Sequence, residues 1–196
     1  MTHSTSSKFG MNIGFAALVI LLATTAIFSL KFPEKNYGHN HAATHSGNSQ
    51  ADNSINSAMA AIASLEQLAA EHPEKPEYFT QLGNLYYDNG EYEKAVAHYL
   101  ESLKLSPEDP HVETDLATCY HYLGRHEEAL EILNRVIQYR PDFSQARFNK
   151  GVVLVDGLKD RQGAIAAWEE LLRAIPDYAE RAALERRIRE LQQTPG

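Results

Sequence analysis

The sequence predicts an all-α fold of stacked helix–turn–helix units, a prediction that depends on two observations. First, a small residue is followed four positions later by a large residue and twelve positions later by a proline. This set occurs as Ala95–Tyr99–Pro107, Ala129–Leu133–Pro141 and Ala164–Trp168–Pro176. Second, its spacing is nearly constant, at 34 or 35 residues. A period of this length is typical of helical solenoids, which usually present a surface for binding.

The length, net charge and cysteine count limit the classes of protein to which the chain can belong. The chain has 196 residues, enough for one domain with appendages. Its formal net charge of −8 argues against a nucleic-acid partner, because a phosphate backbone requires a surface rich in Lys and Arg. Cys119 is the single cysteine, which excludes an intrachain disulfide and a CxxC metal or redox site. Its neighbours Ala117 and Tyr120 favour a small buried residue over a reactive thiol.

The segment 9–30 has the length and composition of a transmembrane helix. It contains no charged residue. At 1.5 Å per residue it spans about 33 Å, enough for the hydrocarbon layer of about 30 Å. The alternative is a cleaved signal peptide with a cleavage site near Ala26. Because apolar residues continue to Leu30, an uncleaved anchor is favoured.

The charges beside this segment give little information on its orientation. Lys8 precedes it, and Lys31 and Lys35 follow it. A tail as short as residues 1–8 normally stays in the cytoplasm, so we expect everything downstream to cross the membrane.

Residues 31–53 are predicted to be a flexible tether. The stretch is rich in Asn, His, Ser, Gly and Ala and cannot bury enough apolar surface to offset its ordering entropy. His39, His41 and His45 could share a metal ion. Because the stretch has no cysteine and its acids lie only at its two ends, we expect a solvated tether and no metal site.

Residues 54–75 are predicted to form one helix that matches half of a repeat. Apolar residues recur at 3- and 4-residue steps, as an amphipathic helix requires. Ala61, Leu65 and Pro73 stand 34 residues before the corresponding members of the next unit. We therefore expect the second helix of a repeat that lacks its first helix.

Residues 76–109 form the first complete unit, and it resembles the tetratricopeptide repeat family. The matching residues are Phe79, Leu82, Gly83, Tyr86, Gly90, Ala95, Tyr99 and Pro107. The second unit, 110–143, keeps Leu116, Ala117, Tyr120, Gly124, Ala129, Leu133 and Pro141. The small residues let paired helices approach closely, and the large one fills the space between repeats.

The third unit, 144–177, departs from the pattern. Gly151 and Leu154 are retained, but Lys150 replaces the usual leucine. One extra residue falls in the region 156–163, which we expect to form a longer turn that preserves both helices. Residues 178–196 lack the signature of a further repeat and are predicted to be a capping helix and tail.

The resemblance implies that a peptide or protein segment binds in the concave groove formed by the first helix of each repeat. The implied groove residues are Thr80, Asn84, Tyr87, His111, Thr114, Thr118, His121, Tyr122, Gln145, Phe148 and Val152. An exposed stripe of Phe148, Val152 and Val155 would be typical of an interface. Alternatively, the terminal helix covers this stripe.

Two narrower functions are not supported by the residues. Family members that bind acidic chaperone tails use a clamp of Lys and Asn. Asn84 matches one clamp position, but Thr80, Asp115, Gln145 and Asn149 do not supply the others, so we do not expect a chaperone-tail adaptor. The motifs GxSxG, P-loop and HExxH are all missing from the sequence. We expect no catalytic residue, no cofactor and no resident metal.

The order of anchor, tether, repeats and cap is similar to that of the small anchored repeat subunits of bacterial cytochrome c maturation and haem-lyase machinery. That similarity implies a bacterial inner-membrane protein with periplasmic repeats that hold an apocytochrome c segment. Two alternatives remain open: an assembly factor for another envelope complex, and a cytosol-facing organelle receptor for targeting sequences.

Overall fold

The computed structural model describes the backbone of residues 48–193 and the side chains of residues 57–193. The predicted transmembrane segment 9–30 and most of the predicted tether lie outside the described residues. Within the described part, none of the helices combines the length and the apolar character that crossing a membrane requires.

The described residues form a helical solenoid of eight α-helices. They are α1 (Asn48–Glu71), α2 (Pro76–Asp88), α3 (Tyr92–Leu105), α4 (Pro110–Tyr122), α5 (His126–Tyr139), α6 (Ser144–Val152), α7 (Arg161–Ala174) and α8 (Arg181–Gln193). Each helix packs against the next one along the chain, and α4 also contacts α6. The predicted all-α repeat fold is therefore confirmed.

Helix α1 begins earlier than the sequence pattern indicates. It starts at Asn48, whereas the apolar periodicity predicts a start near residue 54. The end of the predicted tether, residues 48–53, is thus helical. This polar stretch lacks apolar residues at 3- and 4-residue steps, the pattern on which the helix prediction depended. Its sequence therefore did not indicate a helix.

Local residue choices set where the helices begin and how they turn. Pro76 and Pro110 occupy the first turns of α2 and α4, where a missing N–H removes no helical hydrogen bond. The Asp109 carboxylate accepts hydrogen bonds from the N–H groups of residues 111 and 112 at 2.9 and 3.2 Å. Gly90 and Gly124 adopt φ of +76° in the turns that follow α2 and α4.

In the first and third repeats, the two helices meet at a glycine that faces an aromatic ring. A Cβ placed on Gly83 would lie 2.5 Å from Cε1 of Tyr99, and one on Gly151 would lie 2.5 Å from Cδ1 of Trp168. Tyr99 and Trp168 are fully buried. The close helix approach predicted from these small residues is therefore present, and Cys119 is also buried, as predicted.

The extra residue of the third unit does not form the longer turn that the sequence predicted. Instead, α6 continues into a π-helical segment, Val153–Gly157, in which one more residue is accommodated within the helical turn. Lys159 then adopts φ of +59°, and the Asp160 carboxylate accepts from the N–H of Gly163 at 2.8 Å to begin α7. Both helices are preserved.

Helix α8 packs on α7 through its buried residues Leu184 and Ile188. The guanidinium of Arg187 lies 4.7 Å from the centre of the Trp168 ring. Its Nη2 lies 3.6 Å from Oδ2 of Asp156 in the π-helical segment. The terminal helix therefore covers the last repeat.

Candidate peptide-binding face

The predicted groove residues all lie on α2, α4 and α6, whose common side we call the groove face. Seven are exposed or half-buried: Thr80, Asn84, Tyr87, His111, Tyr122, Gln145 and Phe148. Four are buried: Thr114, Thr118, His121 and Val152. None of these four is exposed in the described structure, and their contact with a partner stays a prediction.

Two groove residues of α2 are bound to the second helix of their own repeat. The hydroxyl oxygens of Thr80 and Ser102 lie 2.7 Å apart, within hydrogen-bond distance. The Tyr99 hydroxyl donates to Oδ1 of Asn84 at 2.8 Å. Asn84 thus accepts the hydrogen bond of a buried phenol.

The middle of the groove face is closed because α6 packs beside α4. The Nδ2 of Asn149 donates to the Thr118 hydroxyl at 3.2 Å, and that hydroxyl donates to the carbonyl of Thr114 at 2.8 Å. The Thr114 hydroxyl itself is buried without a hydrogen-bond partner. These side chains join neighbouring repeats, which is why they are buried.

Three tyrosines form an aromatic cluster between the first two repeats. The rings of Tyr92 and Tyr122 stack with centroids 4.6 Å apart, and Tyr87 lies 5.7 and 6.0 Å from them. Burial raises the pKa of Tyr122 to about 12, so its hydroxyl stays protonated at neutral pH. The sequence prediction missed Tyr92, because it begins α3 and not a first helix.

Two histidines extend this cluster toward the third repeat. The Nδ1 atoms of His121 and His126 lie 3.1 Å apart, so one ring donates and the other accepts. A Cβ on Gly157 would lie 2.7 Å from the His126 ring, which places the π-helical segment against that ring. His121 is therefore paired with His126 within the second repeat, and it is buried and not an open groove side chain.

The apolar stripe expected on α6 is mostly used for packing. Val152 is fully buried, and the Phe148 ring stacks on Trp168 with centroids 5.9 Å apart. The Trp168 Nε1–H donates to the carbonyl of Phe148 at 2.9 Å. Only the half-buried faces of Phe148 and Val155 remain of the expected stripe.

A second concave surface, which the sequence prediction missed, lies on the other side of α4. This outer groove has a volume of about 700 Å³ and lies between α3, α4 and α5. Leu100, Leu103, Leu116 and Ile132 provide its apolar wall. Glu113 lies at its edge, where burial raises the pKa of the carboxyl and the Arg135 guanidinium opposes that rise. The residues on α3 and α5 that form this groove lie on second helices, which the prediction did not consider.

Within residues 57–193, no three His, Cys, Asp or Glu side chains come together as ligands for a metal ion. The histidines at 39, 41 and 45 lie outside the described residues. The arrangement described above consists of hydroxyl, amide and aromatic groups, which are suited to contact with a polypeptide.

Family models match the part of the chain from α1 to α6 to a known repeat family. Two models, each described as tetratricopeptide repeat, match residues 56–110 and 88–150. The chain contains a tetratricopeptide repeat domain. Such domains are typically non-catalytic scaffolds that bind peptides or proteins.

The curated relatives share only this repeat region. The peroxisomal targeting signal receptor of Candida glabrata is 31% identical over 71 residues, which are 36% of this chain and 12% of the receptor. The Saccharomyces cerevisiae receptor is 30% identical over 77 residues, 39% of this chain and 13% of the receptor. The chain thus matches about an eighth of the length of these proteins.

Solved structures share the fold of the domain. A crystal structure of MamA has a TM-score of 0.58 and 17% identity, covering 76% of this chain and 92% of that one. The first repeat domain of Spaghetti (RPAP3), solved with the HSP90 peptide SRMEEVD, has a TM-score of 0.53 and 22% identity, covering 61% and 91%. The Arabidopsis OM64 domain has a TM-score of 0.52 and 21% identity, covering 60% and 96%.

Proposed function

We propose that this tetratricopeptide domain holds a segment of another protein on its groove face while residues 9–30 anchor it to a membrane. The observation that carries the proposal is the half-exposed tyrosine cluster between α2 and α4. Tyrosines give a large contact area with few torsions to immobilise. Asp88 follows Tyr87 at the exposed end of α2 and offers a polar contact to a bound backbone or side chain.

We further propose that the membrane is a bacterial inner membrane with the repeats in the periplasm, and that the bound segment belongs to an apocytochrome c or its assembly machinery. The uncharged segment 9–30 and the repeats that follow it support this proposal.

A second candidate function is a cytosol-facing receptor for targeting sequences. It is favoured by the similarity of the repeat region to peroxisomal targeting signal receptors. An assembly factor for another envelope complex is a third candidate of the same binding class. The receptor differs from the other two candidates in topology, and all three differ in their partner; both properties can be measured.

The test uses crosslinking in native membranes, followed by mass spectrometry of proteins that co-purify with the full chain. Tyr122→Ala is the test variant, and Tyr120→Ala is its matched control. Both tyrosines are half-buried on α4, but Tyr120 lines the outer groove, 4.2 Å from the Arg125 guanidinium carbon. Their packing losses are comparable, so a difference between them reports on the groove face.

We expect a partner that Tyr122→Ala loses and Tyr120→Ala retains. Apocytochromes c or haem-handling proteins would support the cytochrome proposal, whereas a different membrane complex would support the assembly factor. Equal retention by both variants would contradict binding at the groove face. A reporter fused to the C-terminus separates a periplasmic domain from a cytosolic receptor.

A further inference from the structure

Charge is divided unevenly between the two halves of the repeat domain. Residues 48–122, from α1 to the end of α4, contain 13 Asp or Glu and 3 Lys, a net charge of −10. Residues 123–193 contain 12 acidic and 12 basic residues and are formally neutral. The acidic half includes the two first helices that carry the tyrosine cluster.

The few cations of the acidic half are already paired. Each of its three lysines lies beside a glutamate: Lys75 and Glu77 at 3.9 Å, Lys94 and Glu91 at 2.5 Å, and Lys104 and Glu101 at 2.6 Å. The remaining negative charge is therefore not neutralised by lysines of the same half. Glu113 is an exception, since Arg135 of α5 lies 3.3 Å from it.

Two of the acids lie at the groove face itself. Helices α2 and α4 contain no Lys or Arg. Asp88 is exposed at the end of α2, and Asp115 is almost fully buried on α4. Both carboxylates are close enough to the Tyr99 hydroxyl that their charges, after the larger effect of burial, raise its pKa.

The tyrosine cluster adjoins these carboxylates. The charge of Asp115 also acts on Tyr87, whose ring lies 6.0 Å from that of Tyr122. Aromatic faces beside carboxylates favour Lys and Arg side chains, because the ring surface and the carboxylate both attract positive charge. An acidic peptide at the same place would meet the exposed carboxylate of Asp88 and the net negative charge of this half of the domain.

We infer that the segment held on the groove face is basic, with Lys or Arg side chains at the junction of α2 and α4. This inference rests on the proposed function and specifies the chemistry of its partner. The inference is based on charge complementarity between the partner and the acidic half of the domain. The same charge would repel a partner that has an acidic C-terminal tail. The half of the domain beyond α4 has no net charge, so its net charge gives no preference between basic and acidic partners.

The first experiment measures binding of two fluorescein-labelled peptides to the full chain in neutral detergent, by fluorescence anisotropy. One peptide alternates Lys with Ala, and the other carries Glu in place of every Lys. Asp88→Lys is compared with Glu93→Lys, which lies in the first turn of α3. Both residues are exposed and both variants change the net charge equally, so only the location differs. Lys at the C-terminal end of α2 suits the helix dipole, so Asp88→Lys is not expected to unfold the helix.

We expect the lysine peptide to bind and the glutamate peptide not to bind. Asp88→Lys should weaken binding about tenfold and Glu93→Lys much less. Salt screens each charge over about a Debye length, so a charge beside the bound peptide affects binding more than one farther away. Equal weakening by both variants would overturn the inference, since it would show that net charge alone attracts the peptide. Equal affinity for both peptides would also overturn it.

A photo-crosslinking amino acid at position 88 of the full chain, in native membranes, separates this inference from the proposed function. A crosslinked segment with a net positive charge supports both proposals. A neutral or acidic segment would leave the scaffold function standing and refute the basic-partner inference. Complete absence of a crosslinked polypeptide would contradict the proposed function itself.

Discussion

Replacing Gly151 with Ala tests the packing that holds the third repeat together. A methyl group at this position would lie 2.5 Å from Cδ1 of Trp168 and closer still to its Nε1. Since these distances are far shorter than van der Waals contact, the indole ring has to move. Movement of the ring would also disturb the hydrogen bond from Nε1–H to the carbonyl of Phe148, which is 2.9 Å long.

The expected loss follows from three contributions. Overpacking a core by one methyl group typically costs about 1–3 kcal/mol. Loss of a buried hydrogen bond adds about 0.5–1.5 kcal/mol. The higher helix propensity of Ala returns about 1 kcal/mol. We therefore expect Gly151→Ala to lower the free energy of unfolding by about 0.5–3.5 kcal/mol.

Trp168 is the single tryptophan of the chain, so the tryptophan fluorescence comes from this ring alone. Urea denaturation of the full chain in mild detergent, followed by fluorescence and circular dichroism, measures both stability and ring environment. Gly124→Ala is the matched control. Nothing lies within 4 Å of its added methyl group, but its φ of +76° strains any side chain. That control should lose about 1–2 kcal/mol through strain, with unchanged tryptophan emission before unfolding.

The packing argument fails if Gly151→Ala is as stable as the wild type. It also fails if the native emission spectrum is unchanged while stability falls, because the indole would then not be the group displaced.

Four other substitutions test polar and charged side chains. Thr118→Val leaves the amide donor of Asn149 without its acceptor and should lower the free energy of unfolding by about 1–3 kcal/mol. Thr114→Val removes a buried hydroxyl that has no hydrogen-bond partner and should be neutral or stabilising. Urea denaturation measures both changes. Burial lowers the pKa of His98 below its usual 6.5, so stability should fall as pH drops below about 6.5, and His98→Phe should show a smaller fall between pH 7 and 5. Arg187→Ala should shift tryptophan emission and lower stability slightly.

Each of these expectations has a contradicting result. Equal losses of unfolding free energy in the two threonine variants would show that the hydrogen bond at Thr118 does not contribute more to stability than the unpartnered hydroxyl of Thr114. An unchanged pH dependence in His98→Phe would assign the acid sensitivity to other groups. Unaltered tryptophan emission in Arg187→Ala would indicate that the guanidinium does not lie over the ring in solution.

Much of the fold could be predicted because its signals are local and periodic. Pro76 and Pro110 begin helices, and Gly90 and Gly124 adopt the left-handed conformation that their turns require. The facing pair of Gly151 and Trp168 follows directly from the repeat positions. The π-helical segment could not be predicted in the same way, because an inserted residue is compatible with either a longer turn or a wider helical turn.

The groove face was only partly predictable. The position of a residue in the repeat indicates the side of the helix on which it lies, but not whether its side chain is exposed. Thr118 and Val152 occupy positions that face the groove in the repeat pattern, yet both are buried. Tyr92 joins the tyrosine cluster from the start of a second helix. Which of these side chains a partner can reach depends on how closely α4 and α6 approach and on the rotamers that fill the space between them.

The sequence by itself determined the repeat register, the helix pairing and the uneven distribution of charge, because these depend on residue type and spacing along the chain. Only the tertiary structure decided which groove residues stay open, how the extra residue of the third unit is accommodated, and where Arg187 lies. These outcomes depend on contacts between residues far apart in sequence. A helical period fixes the face on which a residue lies, but close packing with the neighbouring helix decides whether that face remains exposed.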